Sequence, residues 1–171
     1  MKNLTNISLL IVLAVSLALT ICCGPRPTNG PGDVVSAIPN GPSAHLARIE
    51  GPPLGWVEKV GDVLRPGGGR AIPISLAGQF VVLGWAVDRT GKAAAGGVDV
   101  VIDGKAYPAE YGTVRPDVAE YFKTPACAPS GFKFSVAAAP FGKGNHRFAI
   151  RVLNSGKTGY WEGVTFEVQF R

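Results

Sequence analysis

The chain carries two histidines, His45 and His146, and three cysteines, Cys22, Cys23 and Cys127. A zinc site needs three or four such ligands at short spacing, and no pair of them is placed for one. Asp88, Asp99, Asp103 and Asp117 lack the alternating-acid spacing of a calcium loop. "RPGGGR" (Arg65–Arg70) supplies glycines, but no Gly-Lys-Ser/Thr and no helix follow as a phosphate-binding loop requires. No nucleophile, base and orienting group can be assembled, and no paired carboxylates. His146 shares its parity with Phe148 and Ile150, so it is expected to point into the fold. The expectation is a protein that is not an enzyme and needs no cofactor or metal.

Binding chemistry has better candidates. Arg115 and Asp117 flank Pro116. Arg115 could fork a carboxylate or sugar acid; equally, the two charges could fasten a long crossover, with Asp117 at a helix start and Arg115 on a neighbouring acid or carbonyl. Tyr111, Tyr121, Tyr160 and Trp161 fall in expected loops. Exposed rings with hydrogen-bonding edges are what a glycan or protein partner uses. The alternative is edge packing that closes the ends of the fold.

Cys22 and Cys23 carry a different chemistry. "LALTICCGPRPTNGPG" (Leu17–Gly32) ends a run from Ile7 that has no charge, Pro or Gly, preceded by Lys2. The run suits a secretory leader or a short membrane span. "LTIC" and "TICC" resemble the box before an acylated cysteine, which makes Cys22 and Cys23 the lipidation candidates. A lipoprotein, an uncleaved anchor and ordinary secretion all export the chain. Cys127 is then either a lone semi-buried thiol in "TPACAPSG" or, without acylation, a disulfide partner for Cys22 or Cys23.

These residues need elements to hold them. The 23 glycines and 14 prolines are concentrated between Gly24 and Ser75. Residues 24–43 cannot bury enough surface to offset their ordering entropy. They are expected to be a flexible tether, which at about 3.1 Å per residue reaches roughly 60 Å. Residues 44–75 are an irregular lead-in, with "HLARIE" a first strand and "GWVEKVGDVL" a short second one. Period-two alternation governs 76–171. "VDVVIDGKAYPA" is two strands about Asp103-Gly104, a type I′ hairpin signal. Phe132, Phe134 and Val136 face one way in "GFKFSV", as do Phe148, Ile150 and Val152 in "HRFAIRVL". "VTFEVQF" turns Val164, Phe166, Val168 and Phe170 inward. "FVVLGWAVD" is apolar on both faces, so its strand is central or covered outside; Trp85 is expected in the core. "RPDVAEYF" alone looks helical, with Pro116 in its first turn. The fold class is all-β: about seven strands in an antiparallel two-sheet sandwich of immunoglobulin-like type with one short helical turn.

The ordered set "GWAVD" (Gly84), "VVIDGKAYPAEYG" (Val100), "VRPDVAEYF" (Val114), "SGFKFSV" (Ser130) and "GNHRFAIRVL" (Gly144) resembles a bacterial family of immunoglobulin-like β-sandwich modules on exported or membrane-bound envelope proteins. The resemblance covers Phe80 to about Phe170. It implies no enzymatic activity. The Pro/Gly-rich stretch from Gly55 to Ser75 departs from the family's compact pattern.

Net charge is +5, with basic residues scattered among acids rather than gathered in a stripe, which argues against a nucleic-acid binder. The expected function is a non-catalytic, membrane-anchored module outside the cytoplasm, with a structural or protein-docking role in the cell envelope. A carbohydrate-binding module using the loop aromatics is the alternative. Partners would be the membrane, through leader or lipid, and an envelope protein or glycan.

Overall fold

The computed structural model describes residues 39–67, 69–90 and 92–171. The leader, Cys22, Cys23 and the tether up to residue 38 lie outside the described residues. No helix among the described residues is long and apolar enough to cross a membrane.

Among the described residues eleven strands make two sheets: β1 (Ala47–Arg48), β2 (Leu54–Val60), β3 (Val63–Leu64), β4 (Ile72–Ile74), β5 (Gln79–Val87), β6 (Gly97–Ile102), β7 (Lys105–Pro108), β8 (Glu110–Val114), β9 (Pro129–Ala137), β10 (Gly144–Leu153) and β11 (Gly159–Phe170). Sheet A runs β1-β11-β10-β6-β7, with β4 also on β11, and sheet B runs β3-β2-β5-β9-β8. One α-helix, α1 (Pro116–Tyr121), follows β8. Seven strands lie within 76–171, and the four before them are a correction to the irregular lead-in: residues 44–75 feed both sheets. β2 is an inner strand of sheet B, registered from Leu54↔Val87 to Val60↔Val82 along β5. β1 and β2 fall on the expected "HLARIE" and "GWVEKVGDVL" strands, the latter dividing into β2 and β3, while β4 was not expected.

Not every pairing is antiparallel. β1 and β4 both pair in parallel with β11, at Gly159–Tyr160 and Val168–Phe170. Each is followed by a strand of sheet B, so the chain crosses between the sheets there instead of turning back in a hairpin.

The sheets bury one core between them. β5 turns Phe80, Val82 and Ala86 inward; β9 adds Phe132, Phe134 and Val136; β6 adds Val98, Val100 and Ile102; β10 and β11 add Phe148, Ile150, Val152, Val168 and Phe170. Phe80 is fully buried and meets four rings edge-on: Phe134, Phe141, Phe148 and Phe170, with centroids 5.4 to 6.1 Å away. Asp103 (φ 49°) and Gly104 (φ 80°) both take positive φ, as the I′ turn requires.

Trp85 is not in this core. β5 turns Gly84 inward and Trp85 outward, where it is half-buried against Val87, Val118, Cys127 and Phe122. The apolar character of both faces of β5 is thus explained: β5 is central in sheet B, and α1 with the 3₁₀ turn Pro125–Cys127 supplies the outer cover.

The last tether residues are also fixed. Gly41 N donates to Ala106 O at 3.0 Å, and Ser43 N donates to the buried Asp99 carboxylate at 2.8 Å. From there the chain crosses the outer face of sheet A to β1.

Candidate functional site

The predicted loop aromatics do not form a common surface. Tyr111 is on β8, not in a loop. Its hydroxyl donates to Ala86 O (2.7 Å) and accepts from Ala95 N (2.8 Å), and burial pushes the phenol up to about 12. It ties β8 to the end of β5. Tyr160 and Trp161 are both buried and lie on β11. Adjacent strand residues point to opposite faces, so both can be buried only if the outer face is covered. The segment from Gly41 to Ile49 does this. Ile49 N donates to Tyr160 O at 2.7 Å, and the Arg151 guanidinium stacks on the Tyr160 ring at 4.6 Å. Only Tyr121, on α1, is open, at 77% exposure.

Arg115 is committed within the fold. Its Nη1 and Nη2 grip Glu58 at 3.0 and 2.9 Å, while Nε and Nη2 grip Asp117 at 2.9 and 2.7 Å. Both forks are filled by the chain's own acids, which raises the guanidinium further above its ordinary range. Gly131 on β9 lies beneath the arm. A Cβ there would stand 3.0 Å from the Thr113 backbone oxygen and 3.2 Å from the Arg115 Cγ, so the bare backbone eases the close approach of β8 and of the arginine. The arm crosses from β8 to β2 over the outer face of sheet B.

Along that face runs a strip of rings. Trp56 on β2 pairs with Trp85 on β5 and is 52% exposed. Trp85 meets Phe122 at 5.9 Å, and Phe122 meets Tyr121 at 5.0 Å; these pairs cross at 69° and 86°. Trp56 and Tyr121 are the open ends, and Phe122 with Val118 fastens the helix beneath them. Trp56 was not among the predicted contacts. Its signal was present in "GWVEKV": with Val57 inward, the period-two rule sends Trp56 and Glu58 outward together. A bulge between Val57 and Lys59 then shifts the parity so that Val60 returns to the core, while Glu58 meets Arg115 on the outer side.

His146 Nδ1 lies 2.6 Å from Asp103 Oδ2, and its ring packs edge-on to Phe170 at 5.1 Å. Nε2, the nitrogen that would serve a nucleophile, is buried without a hydrogen-bond partner among the described residues. No group of three or more His, Cys, Asp and Glu side chains is placed to hold a metal ion among them. Cys127 is buried beside Val87 and Val118, and burial pushes its thiol up.

Three carboxylates make the fold acid-sensitive: Asp88, Asp117 and Asp103, the last held low, against its burial, by hydrogen bonds from His146 and the Arg147 N–H. Burial alone would push Asp88 up, but N–H donors from Ser155 (2.7 Å) and Thr90 (2.9 Å) outweigh it and hold it below the usual range. The Arg115 hydrogen bonds hold Asp117 low as well. A carboxyl whose folded pKa lies below its unfolded value of about 3.9 contributes stability above that value and loses it as pH falls through the folded pKa. The thermal midpoint should therefore hold near neutrality and drop from about pH 4 downward. Asp88→Asn should flatten that acid limb; an unchanged limb would remove Asp88 from the account.

No protein-family model and no curated protein matches the chain.

Proposed function

We propose that the chain is a non-catalytic, immunoglobulin-like β-sandwich module of the bacterial cell envelope, held to the membrane by its leader or by lipid on Cys22 or Cys23, and that it docks a protein partner. The observation that carries the docking reading is the ring strip from Trp56 to Tyr121 on the outer face of sheet B. Large rings left open on one face mark interaction surfaces in proteins of this size.

A protein suits the strip better than a sugar does. A sugar stacks on an open ring face. Trp85 and Tyr121 each meet Phe122 edge to face, which leaves clefts for side chains rather than a level platform. Three of the four aromatics on which the glycan reading rested are also engaged inside the fold.

The experiment is photo-crosslinking in the envelope from full-length chain carrying the photoreactive residue in place of Tyr121, with Trp56→Ala as the disrupting variant. A central aromatic at an interface is worth about 2 kcal/mol or more, roughly thirty-fold in affinity. Trp56→Ala should therefore abolish capture of one discrete partner while moving the thermal midpoint little, since half the ring is already in water. Capture indifferent to Trp56→Ala, or retention on glycan instead, would overturn the docking reading. Fatty-acid labelling that survives Cys22→Ser with Cys23→Ser would overturn the lipid anchor.

A further inference from the structure

Sheet B is bordered by β3 and β8, but β3 is only two residues long. It pairs with β2 at Lys59 and Val60 and goes no further. The first half of β2, Leu54–Val57, has β5 on one side and no strand among the described residues on the other. Its backbone polar groups divide between those sides. The carbonyl oxygen of Trp56 lies 2.2 Å from where a Cβ on Gly84 would stand, and that of Trp85 lies 2.7 Å from where one on Gly55 would stand. Both oxygens therefore sit in the gap between β2 and β5. In an antiparallel pair the N–H and C=O of one residue share a side, and successive residues alternate. Trp56 points its pair at β5, so Gly55 and Val57 turn theirs to the open side. Neither has a backbone partner there among the described residues. The open stretch ends at Glu58, whose oxygen accepts from Arg65 N at 2.7 Å.

Exposed strand edges are normally guarded by bulges, prolines, charges or covering chain. β8 is guarded by two irregularities, between Tyr111 and Thr113 and between Thr113 and Val114. β7 ends in Pro108, and Ala106 O on it accepts from Gly41 N at 3.0 Å. Leu54–Val57 carries neither charge nor proline, and its register with β5 is regular. Exposed apolar side chains flank it: Trp56 on the strand itself and Leu64 on β3, the latter 71% exposed. The surrounding charge is one-sided. Lys59 and Arg65 stand at one end without an ion pair among the described residues, and Arg89 holds Pro52 O at the other. Glu58 is already gripped by Arg115, which leaves Asp62 in the β2–β3 turn against three cations.

We propose that the docked partner adds a strand to sheet B: an extended, acidic segment of another protein lies along Leu54–Val57 and continues the line of β3. This rests on the docking reading and names how the partner is held. The occupant is a polypeptide because a row of alternating N–H and C=O groups is matched by another extended backbone. It has no proline at the paired positions, since proline cannot donate to the ladder. Main-chain bonds to Gly55 and Val57 hold it, and alternate side chains lie beside Trp56 on the outer face. Its acidic residue meets Lys59 and Arg65, the cations that the chain's own acids leave unpaired.

The test compares amide exchange in the free full-length chain with that in the complex captured through the photoreactive residue at Tyr121. Tyr121 is on α1, so the crosslink itself does not touch β2. The peptide covering residues 51–60 should gain about two protected amides, those of Gly55 and Val57. With the photoreactive residue in place of Leu64 instead, the crosslinked partner peptide should contain Asp or Glu and a proline-free stretch. Lys59→Glu with Arg65→Glu should cut capture at Tyr121 several-fold at low salt, and the difference should close at high salt. Capture at Tyr121 with no added protection of residues 51–60 would overturn strand addition and leave the docking reading standing. No capture at Tyr121 would overturn both. A Leu64 crosslink to a second copy of this chain would overturn the choice of occupant.

Discussion

Phe80→Ala is expected to remove about 3–5 kcal/mol of stability, the range for truncating a large core aromatic. A domain of this size rests on about 5–15 kcal/mol in total. The cost should sit at the upper end because of what surrounds the ring. Phe80 is fully buried, and its four edge-on neighbours come from β9, β10, β11 and the turn after β9, so they belong to both sheets. Those neighbours are themselves locked: Phe141 stacks on Phe170 at 5.2 Å, and Phe148 on Phe166 at 4.5 Å. A cavity lined by rings already committed elsewhere collapses poorly, and an uncollapsed cavity is what makes such a change costly. Denaturant titration of the full-length protein measures it. A loss under about 1.5 kcal/mol would mean that the sheets close over the gap. Trp85→Ala should cost less than Phe80→Ala in the same titration, since its ring is only half-buried and packs under α1.

The contrast between those two residues shows what period two can and cannot tell. In "QFVVLGWAV" the inward set is Phe80, Val82, Gly84 and Ala86. The pattern is legible, but with apolar residues on both faces nothing local says which set is inside. A tryptophan is the natural choice for the core, and a glycine is not. Tertiary packing reversed that expectation: the core space beside Gly84 is filled by Phe132 from β9. The hairpin at Asp103-Gly104, the helix start at Pro116 and the alternation of β9 were legible because each depends on residues close together in sequence. β1 and β2 were legible as short strands, but the break that makes β3 a separate strand and the three-residue β4 were not, because strands of two or three residues give too few periods to read.

The site followed the same division. Arg115 and Asp117 could be paired from their spacing, but the second partner, Glu58, is 57 residues away and needs the β2–β5–β9–β8 order to reach it. Tyr160 and Trp161 follow "NSGKTG", whose turn residues drew the loop boundary too far. The turn is real: Asn154 Oδ1 accepts from Thr158 N and Gly159 N, and Lys157 takes a positive φ. The strand resumes at Gly159. What hides the outward ring, Tyr160, is the segment Gly41–Ile49, more than a hundred residues earlier in the chain, and no local pattern announces it.

Gly84→Ala is expected to be the most damaging single-methyl change in sheet B. The position has ordinary extended backbone, so the cost does not come from dihedral strain. It comes from space. A Cβ at Gly84 would stand 2.2 Å from the backbone oxygen of Trp56 and 2.7 Å from the Phe132 ring. The first contact is to main chain, which cannot rotate away. Relief requires β2 to move off β5, and the pairing that would open runs from Leu54↔Val87 to Val60↔Val82. Overpacking a tight core typically costs about 1–3 kcal/mol, and more where backbone must shift. The upper end applies here, because moving β2 also draws Glu58 away from Arg115 and disturbs the Trp56–Trp85 pair. Denaturant titration should therefore show a loss of about 3 kcal/mol, and hydrogen exchange should show early opening of β2 relative to β10 and β11. Gly104→Ala makes the comparison, since a Cβ there meets open space and its difficulty is a positive φ of 80°; it should cost about 1 kcal/mol, confined to the hairpin. A Gly84→Ala protein as stable as its parent would mean that β2 is held loosely on β5, and the ring strip that depends on their pairing would lose its footing.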